Sequence, residues 1–126
     1  MTRIYDAGVL VAADRNDRTV WADHRAQLEL GFLPVVTAPV VAQVSRSPRQ
    51  ASLHRFMRGC QRVPFATDEA VAVGALLTRA GTSDVVDAHV AVTAARLRGT
   101  IVTGDADDMS VLIAAVEQPV TVVPLV

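Results

Sequence analysis

The residues of this chain best suited to chemistry are aspartates, and they occur in three groups. They are Asp6, the pair Asp84 and Asp87, and the run Asp105, Asp107 and Asp108. Carboxylates gathered without a basic side chain repel one another and are costly to remove from water, and a divalent cation relieves both costs. Such oxygen ligands suit magnesium or manganese, and a metal held in this way can activate water to hydrolyse a phosphodiester bond.

An alternation of strand and helix patterns must position these acids. Strand patterns are predicted at 3–7, 33–36, 62–65, 100–103 and 120–123, and helix patterns at 8–15, 19–30, 40–46, 49–58, 67–80, 84–98 and 107–116. This order is typical of an α/β fold with a mostly parallel sheet of about four or five short strands and helices on both faces. Because the carboxyl ends of parallel strands share one edge, Asp6 and Asp105 are expected to converge there, with Asp87 projecting from a neighbouring helix.

Length and composition limit the class of protein. The chain has 126 residues, of which 51% are hydrophobic, so residues 1–126 are expected to form a single domain with a substantial core. A net charge of −1 by itself favours neither a nucleic-acid binder nor a membrane-surface protein. The lone Cys60 and the lack of a leader or a membrane-length apolar run predict a soluble cytoplasmic protein without a membrane partner.

The distribution of charge is more informative than its sum. No acidic residue occurs between Glu29 and Asp68, whereas this segment contains Arg46, Arg49, Arg55, Arg58 and Arg62. If folding brings the segment next to the aspartates, the acidic pocket has a basic rim suited to phosphate contacts. A solvated helix face explains the same arginines without any ligand.

Each aspartate also has a structural interpretation. Asp84 could serve only as a helix cap, and Asp107 and Asp108 could simply favour the start of a helix. Asp6 is harder to explain in this way, because a carboxylate at the end of an apolar strand is expected to be partly buried and needs a partner.

The remaining polar and aromatic candidates are expected to be structural. Thr19 is predicted to cap the helix that follows it. His24 and His54 are predicted on exposed helix faces, and His89 away from the acids. Trp21 is interpreted as a core or interface residue in preference to a base-stacking platform.

Three segments occur in order along the chain: residues 4–8 (IYDAG), 82–91 (TSDVVDAHVA) and 101–108 (IVTGDADD). Together they resemble the PIN-domain ribonucleases, and among these the VapC toxins of bacterial toxin–antitoxin pairs, and the resemblance extends along essentially the whole chain. The resemblance implies that Asp6, Asp87 and Asp105 hold Mg²⁺ or Mn²⁺. The candidates for its outer coordination sphere are Asp84, Asp107 and Asp108.

The resemblance also implies an activity and partners. It predicts a small endoribonuclease, usually a homodimer, that a cognate VapB-like antitoxin inhibits by occupying the active-site groove. One position departs from the family pattern, because Gln43 stands where the family usually has a glutamate. A glutamine can orient a metal-bound water but supplies no charge and cannot act as a base. The alternative is therefore a PIN-like module that binds RNA or an antitoxin without cleaving.

Two other acidic α/β folds fit the sequence less well. A response-regulator receiver needs a lysine late in the chain, and this chain contains no lysine. A phosphatase of the haloacid dehalogenase type places a second aspartate two residues after the first, where this chain has Gly8.

Overall fold

The computed structural model describes residues 2–125, and within them it contains five strands and seven helices. The strands are β1 (Arg3–Tyr5), β2 (Val35–Thr37), β3 (Gln61–Val63), β4 (Thr100–Thr103) and β5 (Thr121–Pro124). The helices are α1 (Ala7–Asp14), α2 (Arg18–Glu29), α3 (Ala38–Val44), α4 (Ala51–Arg58), α5 (Thr67–Ala80), α6 (Val85–Leu97) and α7 (Ala106–Ala114). None of these helices has the length and apolar character needed to cross a membrane.

The five strands form one sheet in the order β3-β2-β1-β4-β5, and every neighbouring pair is parallel. Ile4 in the centre pairs with Val35 on one side and Ile101 on the other. All three side chains are buried, as expected for central strands covered on both faces. The α/β fold with a parallel sheet is therefore confirmed.

The helices divide into two layers. Helix α1 packs against α2, α3 and α4, whereas α6 packs against α5 and α7. Since parallel crossovers are right-handed, the connections from β1 through β2 to β3 cover one face, and those from β3 through β4 to β5 cover the other. The direction of strand order reverses between β1 and β4, so the carboxyl ends of these two strands flank the switch point where such sheets place ligands.

Prolines set two strand boundaries that the sequence pattern missed. The predicted strands at 33–36 and 62–65 each include a proline, but β2 begins after Pro34 and β3 ends before Pro64. Proline has no N–H to donate to a neighbouring strand, so it ends the regular pairing in both places, although the carbonyl oxygen of Pro34 still accepts from the N–H of Gln61 at 2.7 Å. Leu33, predicted to be in a strand, is instead about half exposed.

His24 is buried, so its predicted position on an exposed helix face is wrong. Its ring stacks on Phe56 with 3.9 Å between centroids, and its Nδ1 lies 3.0 Å from the hydroxyl of Tyr5. Burial lowers the pKa of His24 and favours the neutral ring. The buried Tyr5 hydroxyl needs a hydrogen-bond partner, and His24 provides it. Helix α2 has few apolar residues, so it contributes this histidine to the core instead.

The start of α2 is also different from the prediction. The carboxylate of Asp17, not the hydroxyl of Thr19, caps this helix by accepting a hydrogen bond from the backbone N–H of Val20 at 3.1 Å. Both aspartate and threonine are common helix caps. The turn before α2 ends at Asp17, so Asp17 is the residue whose side chain can accept from the N–H three residues later.

Gly99, which joins α6 to β4, provides a test of the central packing. A Cβ at this position would meet the backbone oxygen of Thr2 at 2.9 Å and would lie even closer to Ile4. We expect Gly99→Ala to lower the free energy of unfolding by about 1–3 kcal/mol, as measured by urea denaturation. Gly74, within α5, has no neighbouring atom within 4 Å of a built Cβ. The control Gly74→Ala should therefore raise stability by about 0.5–1 kcal/mol. Equal stability of the two variants would contradict this packing.

Candidate active site

A pocket of about 270 Å³ opens at the carboxyl ends of β1 and β4. Its lining consists of Asp6, Ala7, Gly8, Gln43, Asp84, Asp87, Gly104, Asp105, Asp108 and Met109. Of the site residues predicted from the sequence, only Asp107, Arg46 and Arg49 are outside this lining. Among the residues that the structure describes, no basic side chain lines the pocket, so its ionisable groups are all carboxylates.

Asp6 is the most enclosed of these carboxylates, with 6% of its surface exposed. It follows β1 directly and caps α1, where its Oδ1 accepts from the backbone N–H of Val9 at 3.4 Å. Its Oδ2 accepts a hydrogen bond from the hydroxyl of Thr103 at the end of β4. Burial raises the pKa of Asp6, and the Thr103 hydrogen bond opposes that rise.

Thr103 connects two of the predicted metal ligands. While its hydroxyl donates to Asp6, the same oxygen accepts from the backbone N–H of Asp105 at 2.9 Å. Thr103 belongs to the segment 101–108 that resembles the PIN-domain family, but it was not among the site residues predicted from the sequence. The sequence nevertheless indicates such a role, because a buried carboxylate at the end of one central strand needs a hydrogen-bond donor from the neighbouring strand.

Asp84 and Asp105 combine a structural role with a place in the pocket. Asp84 caps α6 by accepting from the N–H of Asp87 at 3.0 Å, and Asp105 caps α7 by accepting from the N–H of Asp108 at 3.1 Å. The interpretation of Asp84 as a helix cap is thus confirmed, yet its side chain also faces the other acids. Asp107, in the first turn of α7, is exposed and lies outside the pocket lining.

The carboxylates of the pocket repel one another, and this repulsion contributes to a raised pKa of Asp87. Burial, followed by the charges of Asp84 and Asp6, raises the pKa of Asp87 from 3.8 to about 6. Similarly, the Asp105 carboxylate raises the pKa of Asp108. Near neutral pH these groups carry negative charge in a site without a balancing cationic side chain.

The chemistry of the donors fits a hard divalent cation, but the side chains are not gathered into a finished site. Within residues 2–125 there is no set of three His, Cys, Asp or Glu residues already placed to hold a metal ion. Asp6, Asp84 and Asp105 each also accept a hydrogen bond from a helix N–H. The carboxylates of the pocket supply oxygen ligands, and their mutual repulsion is the cost that a cation would remove.

Gln43, exposed on α3, also lines the pocket. Its amide can accept or donate a hydrogen bond there but adds no charge. Gly8 lines the pocket beside Asp6, where a Cβ would come 3.2 Å from the backbone of Gly104 and 3.3 Å from Oδ1 of Asp6. A second aspartate at position 8, which the phosphatase interpretation requires, would therefore displace the backbone beside the pocket.

Arg46 and Arg49 lie on an exposed loop just beyond α3. The side chain of Gln50 holds this loop in place. It accepts from the backbone N–H groups of Arg46 and Ser47 and donates to the carboxylate of Asp14 at the end of α1. The role of Gln50 was not predicted, because it depends on the spatial proximity of α1.

The raised pKa of Asp87 predicts how stability depends on pH. Because ionisation is more difficult in the folded protein, the stability associated with the protonated group is complete below pH 3.8 and is lost as the pH rises through about 6. A two-unit pKa shift corresponds to a change of roughly 3 kcal/mol in the free energy of unfolding without solvent screening. Screening at this half-exposed group reduces the change to about 1 kcal/mol.

We therefore expect Asp87→Asn to stabilise the metal-free protein by about 1 kcal/mol near neutral pH. The gain should shrink toward pH 4.5, and denaturation in chelator at both pH values measures it. Asp107→Asn, which changes an aspartate outside the pocket, is the control. A gain of the same size in both variants, or one independent of pH, would contradict the assigned repulsion.

The chain matches no protein-family model and no curated protein sequence. It is similar to the solved structure of VapBC2 from Rickettsia felis bound to a DNA fragment from its promoter, with a TM-score of 0.76, 16% identity and coverage of 100% of both chains. FitAcB from Neisseria gonorrhoeae gives a TM-score of 0.65 at 14% identity, covering 94% of this chain and 96% of that chain. PAE2754 from Pyrobaculum aerophilum gives 0.63 at 15% identity, covering 98% and 89%. The chain therefore has the fold of these three structures, and the PIN-like α/β fold expected from the sequence is confirmed.

Proposed function

We propose that this protein is a Mg²⁺- or Mn²⁺-dependent endoribonuclease of the VapC type, which hydrolyses RNA phosphodiester bonds with a metal-activated water. The observation that carries this proposal is the pocket at the switch point of the sheet, lined by five aspartates and, within residues 2–125, by no cationic side chain. A pocket of this kind matches the acidic metal sites of hydrolytic enzymes in position and in chemistry. The fold shared with VapC-type proteins supports the same activity.

In this proposal Asp6, Asp87 and Asp105 hold the metal ion. When bound, the ion lowers the pKa of water and neutralises charge that develops on the phosphate. Asp6 is positioned for this by Thr103, which fixes one of its oxygens, and Asp87 gains a partner that relieves its repulsion. Of the acids assigned to outer coordination, Asp84 and Asp108 line the pocket and can accept hydrogen bonds from bound water.

Gln43 has the role of orienting water in this arrangement. Gln43 lines the same pocket as the acids, and its amide can accept a hydrogen bond from water or donate one to a phosphate oxygen. Because it has no charge, the total negative charge that attracts the metal comes from the aspartates alone. The same feature favours the second candidate function, a PIN-like module that binds RNA or an antitoxin without cleaving.

The proposed partners are RNA, a cognate VapB-like antitoxin and a second copy of this chain in a homodimer. Two structures with this fold, VapBC2 and FitAB, are described as complexes bound to DNA fragments. As the resemblance to VapC toxins implies, an antitoxin is proposed to occupy the groove over the pocket and to block access of RNA. RNA itself is proposed to contact Arg46 and Arg49, whose exposed side chains follow the helix that carries Gln43.

The experiment that tests this function is cleavage of a cellular RNA pool by the purified protein free of antitoxin, with magnesium, with manganese and with chelator. We expect discrete cuts that require metal, and we expect the cleavage rate to fall at least about 100-fold in Asp6→Asn. The loss of a direct metal ligand should lower activity at least as much as the loss of an outer partner does. Asp107→Asn should retain cleavage, because this carboxylate lies outside the pocket.

Two results would contradict the assignment. Intact metal-dependent cleavage in Asp87→Asn would remove Asp87 from the metal site. Absence of cleavage by folded wild-type protein under every condition would favour the binding-only function. The variant Gln43→Glu would then establish whether the missing carboxylate accounts for the inactivity.

The proposed RNA contacts predict a separate effect on binding. We expect the double variant Arg46→Gln, Arg49→Gln to bind RNA more weakly and to reduce the slope of log affinity against log salt by about 1.4, for two lost phosphate contacts on a single strand. Fluorescence anisotropy in chelator measures both quantities. Affinity for Mn²⁺ should not change, and the control is Arg79→Gln, Arg98→Gln. An RNA affinity equal to that of wild type would assign these arginines to a solvated surface.

A further inference from the structure

A second polar pocket, of about 310 Å³, lies between α2 and α4 and has a composition opposite to that of the acidic site. Its lining consists of Asn16, Arg18, Trp21, Ala22, Arg25 and Arg55. We refer to it as the arginine pocket. It contains three guanidinium groups and no carboxylate, so it is a concentrated site of positive charge in a chain whose net charge is −1.

The arginine pocket is separate from the acidic pocket. The two share no lining residue. Helix α1 begins directly after Asp6, and its eight residues carry the chain about 12 Å along the helix axis before Asn16 is reached. The three arginines are therefore not part of the immediate surroundings of the acids, and the fold gives them no role there.

The positive charge of the arginine pocket is not neutralised within the part of the chain that the structure describes. None of its three guanidinium groups forms an ion pair with a carboxylate there. Among the nearby acids, Asp17 caps α2 and Asp23 pairs with Arg3 at 2.7 Å. Glu29, one turn after Arg25 on α2, forms no ion pair within the described residues. An anionic ligand would therefore meet donors that have no competing carboxylate.

The geometry favours a ligand with more than one anionic group. Arg18, Ala22 and Arg25 are spaced four and three residues apart, so they lie along one face of α2 and extend over about 10 Å. The small side chain of Ala22 leaves space between the two arginines. Successive charges along an extended chain can therefore each meet one of these two arginines.

An aromatic ring forms the remaining wall. Trp21 is held by a hydrogen bond of 3.0 Å from its Nε1 to the backbone oxygen of Ala13 and packs edge-on against Phe56. The guanidinium of Arg55 lies 5.3 Å from the centre of the indole ring. Arg55 is thereby held over the ring by a cation–π contact, which fixes one of the three charges in position.

We propose that the arginine pocket binds the sugar–phosphate backbone of a single-stranded nucleic acid. This inference rests on the proposed function in taking that strand to be the RNA substrate, held at phosphates away from the bond that is cut. Guanidinium groups match phosphate in shape and charge, and a positively charged groove that follows the backbone is a common feature of proteins that bind single strands.

An acidic protein segment is the competing ligand, and the lining of the pocket argues against it. Stable protein partners insert apolar or aromatic anchors into desolvated pockets. Here only Trp21 and Ala22 offer apolar surface, and Arg55 already lies over the Trp21 ring. Interfaces with nucleic acids are more polar and more positively charged than interfaces between proteins, which is the character of this pocket.

The test uses a fluorescein-labelled oligouridylate of 15 nucleotides in chelator, so that binding is measured without cleavage. We expect Arg18→Gln, Arg25→Gln to weaken binding at least about tenfold at 0.1 M salt and to reduce the salt slope by about 1.4. The charge-matched control, Arg79→Gln, Arg98→Gln, should bind as wild type does. Trp21 is the only tryptophan of the chain, so its emission should change on binding in wild type and control and not in the double variant.

A second variant keeps the test decisive if the first is poorly folded. Ala22→Glu adds one carboxylate between the guanidinium groups and should reduce binding by a similar factor. Wild-type affinity and salt slope in both variants would overturn the proposal. So would stronger competition by polyglutamate than by unlabelled oligouridylate of equal charge, since that result assigns the pocket to a protein partner.

This test is independent of whether the protein cleaves RNA. A protein that never cuts RNA but loses oligouridylate binding in Arg18→Gln, Arg25→Gln supports the pocket and contradicts only the nuclease. Conversely, metal-dependent cleavage together with unaltered binding in this variant contradicts only the pocket.

Discussion

The pairing of β1 with β4 determines where the acidic side chains lie. Tyr5 is in register with Val102, so the next residues, Asp6 and Thr103, face each other at the ends of the two strands. The backbone N–H of Asp6 continues the ladder by donating to the oxygen of Val102 at 3.1 Å. A shift of one residue would turn Thr103 to the other face of the sheet and leave a buried carboxylate without its donor.

The acidic pocket contains carboxylates of two kinds. Asp6 is nearly enclosed, but hydrogen bonds from Thr103 and the backbone oppose the effect of burial. Asp87 is less buried, yet neighbouring charges add to the effect of burial and its pKa reaches about 6. The fold thus holds one acid rigidly and leaves another in an unfavourable state that a ligand could relieve. Groups with this second property are concentrated at functional sites.

Much of the fold and of the acidic pocket could be predicted from sequence, because both follow from local patterns. The alternation of strands and helices implies a parallel sheet, and the shared edge of such a sheet brings Asp6 near Asp105. The burial of His24 could not be predicted in this way, since it depends on Tyr5 and Phe56 from other elements. The arginine pocket was missed for the same reason, because Arg55 comes to α2 only through the packing of α4.

Asp6, Asp84 and Asp105 cap three different helices, and all three line the same pocket. The positive ends of three helix dipoles therefore point toward the place where the carboxylates are most crowded. Each dipole end acts as roughly half a positive charge, so the backbone offsets part of the repulsion among the acids. The scaffold thereby provides a counter-charge that titration cannot remove. Lowering the pH protonates the carboxylates of this pocket, but the electric field of the three helix dipoles remains.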